Sequence, residues 1–194
     1  MTLASPSDTR IAFLSRQQCS NVTKSYTLDE DSRVFDHTFF NISPKEAEST
    51  DPQHRVLLET VYEGIESAGY SIQRLKESAT AVFVGQMTAD YYDILARDYD
   101  TIPQYMSTGT SRCLTSNKIS YFFDWNGPSV TIDTACSSSL VAVHQAVQEL
   151  RHGESTLAIA AGVNLILGPE NYIHESKVCV NSTHFELLCY FIET

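Results

Sequence analysis

The feature that most constrains the fold is an alternation of short apolar runs with segments of helical periodicity. Three runs have the length and composition of buried strands: ATAVFVG (79–85), SVTIDTAC (129–136) and STLAIAAGVNLILG (155–168). Segments with helical periodicity lie at 55–70 and 138–153. Strands that alternate with helices are typical of α/β domains, so the sequence predicts an α/β fold with a largely parallel sheet.

Proline and glycine mark the ends of the first helical region. Pro44 and Pro52 each stand where a helix can begin, because the N–H that proline lacks is unpaired at the first helical position. In RVLLETVYEGIESAGY (55–70) the apolar residues recur every three or four positions, and Gly69 is placed to end the helix. A shorter helix followed by a loop is predicted in ADYYDILARDYDTIPQY (89–105).

The segment SSLVAVHQAVQELRHG (138–153) predicts a helix that ends at Gly153. His144 is predicted to pack on the apolar side of this helix. That side is predicted to consist of Leu140, Val143, Val147 and Leu150.

Composition and charge exclude several classes of function. The chain has 194 residues, 42% of them hydrophobic and 19% charged, which is the balance of one soluble globular domain. Its net charge of −11 argues against binding to nucleic acid or to an anionic membrane surface. The longest apolar run (157–168) is shorter than a transmembrane helix, and the N-terminus has no continuous apolar signal region. Five cysteines without a C-x-x-C pair favour a reduced, cytoplasmic protein.

One cysteine, Cys136, lies between a predicted strand and a predicted helix. The unpaired N–H groups and the dipole of a helix N-terminus favour the thiolate, which is the nucleophilic form of cysteine. Those N–H groups also suit the oxyanion that forms when a thiolate attacks a carbonyl. Ser137, Ser138 and Ser139 are small enough for a long acyl substrate to approach the sulfur. The alternative is a buried structural cysteine, and the spacing alone leaves both interpretations open.

A cysteine nucleophile usually needs a base, and the nearest histidine does not qualify. His144 follows Cys136 by eight positions on the same predicted helix, which places it about 12 Å away and on a different face.

The stretch DTACSSSL (133–140) strongly resembles the active-site motif of β-ketoacyl synthases, and in particular the ketosynthase domain of fungal iterative type I polyketide synthases. The residues are most similar to those of highly reducing synthases and of hybrids of a polyketide synthase with a peptide synthetase. The resemblance runs from about Tyr26 to about Lys177. It is carried also by FDHTFFNISPKEAESTDPQHRVLLETVYEGIESAGY, AVFVGQMTADYYD, STGTSRCLTSNKISYFFDWNGPS and LAIAAGVNLILGPENY.

The resemblance implies a thiolase-like α/β fold, of which this chain holds only the N-terminal half, incompletely. It implies that Cys136 accepts an acyl group from a phosphopantetheine thioester on an acyl carrier protein. A malonyl unit on the carrier protein then loses CO₂ and attacks that acyl group. No cofactor is expected to bind directly, and no metal is expected. The strand that leads into Cys136 is expected to pair across a homodimer axis.

The chain also departs from the family pattern. Two histidine motifs that assist decarboxylation in the family are not found after Cys136. We therefore expect three regions: an N-terminal segment (1–25) without a clear first strand, a partial ketosynthase domain (26–177), and a tail (178–194) without family character. Residues up to 33 are polar and weakly periodic, which predicts a loose segment. A truncated chain of this kind is expected to be inactive alone and poorly soluble.

Other interpretations stay open at this stage. A non-catalytic remnant would act by pairing with an intact synthase through 129–136. A cysteine-dependent thioester hydrolase would need a histidine partner that the spacing does not provide. Cys179, His184 and Cys189 match three ligands of a zinc knuckle, but the fourth position is Ser176, so no metal site is predicted. Starter unit, chain length and product are not readable from this sequence.

Overall fold

The computed structural model describes Leu28, residues 31–177 and residues 188–193. It divides the chain into two compact units, of which the larger contains Ser32–Leu165 with Glu186–Thr194 and the smaller contains Met1–Asp31 with Ile166–Phe185. Most of the predicted N-terminal segment and residues 178–187 of the predicted tail lie outside the described residues. In the smaller unit, one helix (α8, Pro169–Lys177) is described.

The helices of the larger unit begin where the sequence places their caps. Pro44 and Pro52 each occupy the first helical turn, after Ser43 and Asp51, whose side chains accept hydrogen bonds from the first backbone N–H groups. Gly69 follows the second helix with φ +79°, a conformation that glycine adopts readily. The described helices are α1 (Pro44–Ser49), α2 (Pro52–Ser67), α3 (Ile72–Leu75), α4 (Asp90–Leu95), α5 (Met106–Thr110), α6 (Cys113–Phe123) and α7 (Ser138–His152), with a 3₁₀ turn at Tyr99–Thr101.

The sheet has the order β2-β1-β3-β4. Its strands are β1 (Ala81–Gln86), β2 (Ser129–Ile132), β3 (Leu157–Val163) and β4 (Leu188–Glu193). The first three strands are mutually parallel, as predicted, and β4 pairs antiparallel with β3. Every residue of β1 and β3 is buried, which is typical of central strands in a parallel sheet.

Side chains alternate between the two faces of the sheet and so contact different helices. On one face, Val82 and Val84 of β1 belong to a large core with Leu57, Leu58 and Val61 of α2. On the other face, residues of β1 and β3 pack against α7 in a smaller core. That core contains Ala81, Phe83, Ala142, Ala146, Leu150, Ala158 and Ala160. The α/β prediction is confirmed, with helices on both sides of a mostly parallel sheet.

Three details of the predicted elements are wrong. The strand predicted over 129–136 ends at Ile132, because the residues after it form a tight turn. The buried side of α7 was predicted to include Leu140, whose exposed fraction is 72%. His144 is also exposed and does not pack on an apolar side. The side that contacts the sheet consists of Ser138, Ala142, Ala146 and Leu150, because small side chains let the helix backbone come close to the strands.

The start of α7 lies directly on a pair of glycines. Gly85 of β1 and Gly162 of β3 are neighbours in register. A Cβ at Gly85 would lie 2.5 Å from the carbonyl carbon of Ser138, and a Cβ at Gly162 would lie 2.6 Å from Cβ of Ser139. Both distances are shorter than any non-bonded contact allows, so the approach of α7 requires glycine at these two positions.

We predict that Gly85→Ala destabilises the chain by about 1–3 kcal/mol, because the added methyl group forces α7 away from the sheet. A suitable control is Gly69→Ala. A Cβ at Gly69 meets nothing within 4 Å, and its cost of about 1 kcal/mol comes only from the positive φ. Urea denaturation of the full chain measures both values. A Gly85→Ala chain as stable as the unsubstituted one would contradict the proposed contact.

Candidate active site

The polar side chains that follow β1, β2 and β3 share one edge of the sheet. Parallel strands bring their carboxyl ends to the same edge, and ligands of open α/β sheets bind beyond that edge. Here β1 ends at Gln86, β2 at Ile132 and β3 at Val163. The turn that holds Cys136 therefore lies at this edge.

Cys136 is exposed and free, at the junction that the sequence predicts. It precedes Ser137, the N-cap of the 15-residue helix α7. Ala135 has φ +56°, a left-handed conformation that costs a non-glycine residue about 1–2 kcal/mol. Strain of this kind persists only where surrounding contacts enforce it, so the turn is held in a defined shape. The alternative of a buried structural cysteine is wrong for Cys136.

Two serine hydroxyls hold the turn. Oγ of Ser138 accepts a hydrogen bond from the N–H of Thr134 at 2.8 Å and donates one to the carbonyl of Ala135 at 2.6 Å. Oγ of Ser137 contacts the carbonyl and the hydroxyl of Thr134 at 2.8 and 2.9 Å. The serines after Cys136 therefore fix the turn and, through Ser138 and Ser139, let α7 approach the glycines. Their small size thus has a structural reason besides the substrate access that the sequence predicts.

Hydrogen bonds within the turn already pair most of the N–H groups that were predicted to bind an oxyanion. The N–H groups of Ser137 and Ser138 donate to the carbonyls of Thr134 and Ala135 at 3.4 and 3.1 Å. Within the part of the chain that the structure describes, the N–H of Cys136 has no hydrogen-bond acceptor. This N–H can donate a hydrogen bond to an oxygen atom bound beside Cys136.

An ion pair lies beside the turn. Nη1 of Arg112, just before α6, is 2.6 Å from Oδ2 of Asp133 and donates to the carbonyl of Met87 at 3.2 Å. The other carboxylate oxygen of Asp133 accepts the N–H of Ala135 at 3.0 Å. Sequence reasoning did not identify Arg112, because it lies in a different segment from Cys136.

A buried polar network occupies the same edge of the sheet. Oγ1 of Thr115 lies 2.7 Å from Nε2 of His54 and donates to Oε1 of Gln86 at 2.5 Å. Nε2 of Gln86 and Nε2 of Gln53 both donate to the carbonyl of Thr88. This network was not predicted from the sequence. The signal for it is DPQHR (51–55), a polar run that opens an otherwise apolar helix.

None of the histidines whose side chains the structure describes forms a hydrogen bond with Cys136. Burial lowers the pKa of His54 to about 3, and the charge of Lys118 acts in the same direction, so His54 is neutral at physiological pH. His144 is exposed on α7. Among the described residues, Cys136 is thus an exposed cysteine with no histidine hydrogen-bonded to it, and no described cluster has the composition of a metal site. The zinc-knuckle pattern involves side chains outside the described ones.

One known protein family has a sequence model that matches most of this chain. The sequence model of the β-ketoacyl synthase N-terminal domain matches residues 6–186. The chain belongs to the β-ketoacyl synthase family. The match agrees with the resemblance in DTACSSSL (133–140), and it begins before residue 26 and extends beyond residue 177.

The similar curated relatives are fungal reducing polyketide synthases and PKS-NRPS hybrids. The chain is 68% identical over 159 residues to a hybrid PKS-NRPS synthetase of Thermothelomyces thermophilus, over 82% of this chain and 4% of that protein. It is 64% identical over 163 residues to a highly reducing polyketide synthase of Aspergillus aculeatus, over 84% of this chain and 7% of that protein. The chain therefore spans a small fraction of the length of these relatives.

Solved ketosynthases confirm the thiolase-like fold class. A ketosynthase from module 6 of the bacillaene synthase of Bacillus subtilis 168 superposes with a TM-score of 0.73 at 38% identity, covering 84% of this chain and 27% of that chain. The oxazolomycin ketosynthase domain of Streptomyces albus gives a TM-score of 0.70 at 39% identity, covering 79% and 27%. The chain thus corresponds to part of a ketosynthase domain. Among the described residues, no helix combines the length and apolar character needed to cross a membrane.

The pH dependence of stability is predicted to depend on Asp51. Burial raises the pKa of Asp51 from 3.8 to about 6, although hydrogen bonds from the backbone and side chain of Gln53 oppose this. A carboxyl group with a higher pKa in the folded state stabilises the fold below about pH 4, and that stabilisation is lost as the pH rises towards 6. As the pH rises, the unsubstituted chain is expected to lose unfolding free energy on the order of 3 kcal/mol from this group. We expect the Asp51→Asn chain not to lose it.

Urea denaturation of both chains between pH 4 and pH 7 measures the difference. Because His54 titrates in both chains, its opposite contribution cancels in the comparison. The control is Asp100→Asn at an exposed position. An identical pH dependence of the Asp51→Asn and unsubstituted chains would refute the prediction.

Proposed function

We propose that this chain is the acyl-accepting part of a β-ketoacyl synthase that makes polyketides, with Cys136 as the nucleophile. The observation that supports this most strongly is the exposure of Cys136 at the N-terminus of α7. This residue lies on a strained turn, and its N–H has no acceptor among the described residues. The turn presents the sulfur to solvent.

The proposed step is a transfer of an acyl group between two thiols. The thiolate of Cys136 attacks the thioester carbonyl carbon, a new C–S bond forms, and the bond to the carrier thiol breaks. The proton released by Cys136 goes to the departing thiolate, so the exchange needs no further reactant. The oxyanion formed during the attack accepts the N–H of Cys136. The donor is a phosphopantetheine thioester on an acyl carrier protein, in the cytoplasm.

We also propose that the chain by itself loads an acyl group without condensing it with malonyl thioester. Decarboxylation and attack need groups that stabilise the developing enolate. Among the described side chains, no histidine contacts Cys136, and His54 is buried and neutral. Incubation of the loaded chain with malonyl-carrier protein is therefore expected to give no elongated product.

A second candidate function is pairing with another ketosynthase chain. β2 (Ser129–Ile132) is an outer strand of the sheet, and its Val130 has an exposed fraction of 43%. An outer strand offers backbone groups that a strand of a second copy can pair with. This candidate accounts for a chain that binds an intact synthase without catalysing a reaction.

The proposed function predicts that Cys136→Ser abolishes acyl transfer. The full chain is incubated with an acyl N-acetylcysteamine thioester, and mass spectrometry of its peptides locates the added acyl group. We expect Cys136 to be acylated in the unsubstituted chain. We expect no acyl group at this position in Cys136→Ser, because a serine hydroxyl is not ionised at neutral pH. The matched control is Cys113→Ser, because Cys113 is also exposed and free in the part of the chain that the structure describes.

Acylation that persists in Cys136→Ser, or that disappears in Cys113→Ser, would overturn the assignment of the nucleophile. Pairing is tested separately by co-purification with an intact synthase, with Val130→Lys as the variant expected to weaken it.

A further inference from the structure

A charged pair that is not part of the reacting groups connects two segments around the Cys136 turn. Arg112 stands just before α6, and Asp133 stands just after β2. Nη1 of Arg112 contacts both Oδ2 of Asp133 and the carbonyl of Met87, which follows β1. One nitrogen atom thus donates hydrogen bonds to the residues that follow two neighbouring strands.

The second oxygen of Asp133 carries this connection to the turn. Oδ1 accepts the N–H of Ala135, the residue with positive φ immediately before Cys136. The orientation of the peptide between Ala135 and Cys136 determines where the N–H of Cys136 points. A carboxylate held on one side by Arg112 and bonded on the other to Ala135 therefore restricts that orientation.

The position of Arg112 is itself fixed. Ser116, one turn further along α6, donates its N–H to Oγ1 of Thr131 in β2 at 3.2 Å, and the two hydroxyls lie 3.0 Å apart. The first turn of α6 is thus anchored to β2 two residues before Asp133. The position of Arg112 is therefore fixed by contacts between α6 and β2, and these contacts do not involve the Cys136 turn.

We propose that Arg112, through Asp133, is a positioning residue that aims the N–H of Cys136 at the oxyanion of the acyl-transfer step. This inference rests on the proposed function. The side chains of Arg112 and Asp133 are 47% and 43% exposed, and ion pairs with that exposure contribute little to stability. The role of the pair is therefore to orient the turn and not to hold the fold together.

Two reactions of the same sulfur separate this role from a structural one. Acyl transfer forms an oxyanion and needs the N–H of Cys136, whereas alkylation by iodoacetamide displaces iodide and forms no oxyanion. Arg112→Gln is expected to slow acyl transfer to Cys136 about tenfold while alkylation changes less than about twofold. Loss of folding would change both rates and lower the melting temperature.

Arg112→Lys, Lys76→Gln, Asp133→Asn and a double variant of the full chain complete the test. Arg112→Lys is expected to retain most of the acyl-transfer rate, because a single ammonium nitrogen can contact both oxygens that Nη1 contacts. Lys76→Gln is the control, since it removes another exposed ion pair, Lys76 with Asp124. Arg112→Gln combined with Asp133→Asn is expected to be no slower than the slower single variant, because the two residues act as a unit.

Acyl transfer in Arg112→Gln that equals the unsubstituted rate, or falls in parallel with alkylation, overturns the positioning role while leaving the proposed function intact. A chain whose Cys136 is never acylated, although iodoacetamide alkylates it, overturns the proposed function and this inference with it.

Discussion

The close approach of α7 to the sheet is the contact on which the rest of the structure depends. It requires glycine at two paired positions, Gly85 and Gly162, and small residues on the helix face that meets them. Because the helix begins directly on these glycines, only a short turn fits between the end of β2 and the first helical residue. The strained conformation of Ala135 and the exposure of Cys136 both follow from that short connection.

The turn combines an exposed sulfur with a rigid backbone. Hydroxyl, carboxylate and carbonyl oxygens accept the N–H groups on either side of Cys136, whereas the N–H of Cys136 has no acceptor among the described residues. In the proposed acyl transfer, the attacking atom and the oxyanion donor belong to one residue. The same edge of the sheet holds a buried network around His54, which stays neutral and supports the edge without touching the sulfur.

Much of the fold was predictable from the sequence, because β1 and β3 are strongly apolar and α1 and α2 begin at proline. The prediction for α7 was wrong about its buried side, since alanines that permit close contact carry a weaker hydrophobic signal than Leu140. Helix α6 was not predicted, because Thr115 and Ser116 occupy buried positions where an apolar pattern was sought. The motif predicts Cys136 as the nucleophile, whereas Arg112 was not predicted, because only the folded chain brings it to Asp133.

The most direct test of this account is a crystal structure of the chain acylated on Cys136. We predict that the thioester carbonyl oxygen lies about 2.7–3.1 Å from the backbone nitrogen of Cys136. We also predict that Ala135 keeps its positive φ and its hydrogen bond to Asp133. A carbonyl that points into solvent, with the N–H of Cys136 turned away, would contradict the claim that this turn is built to accept an acyl group.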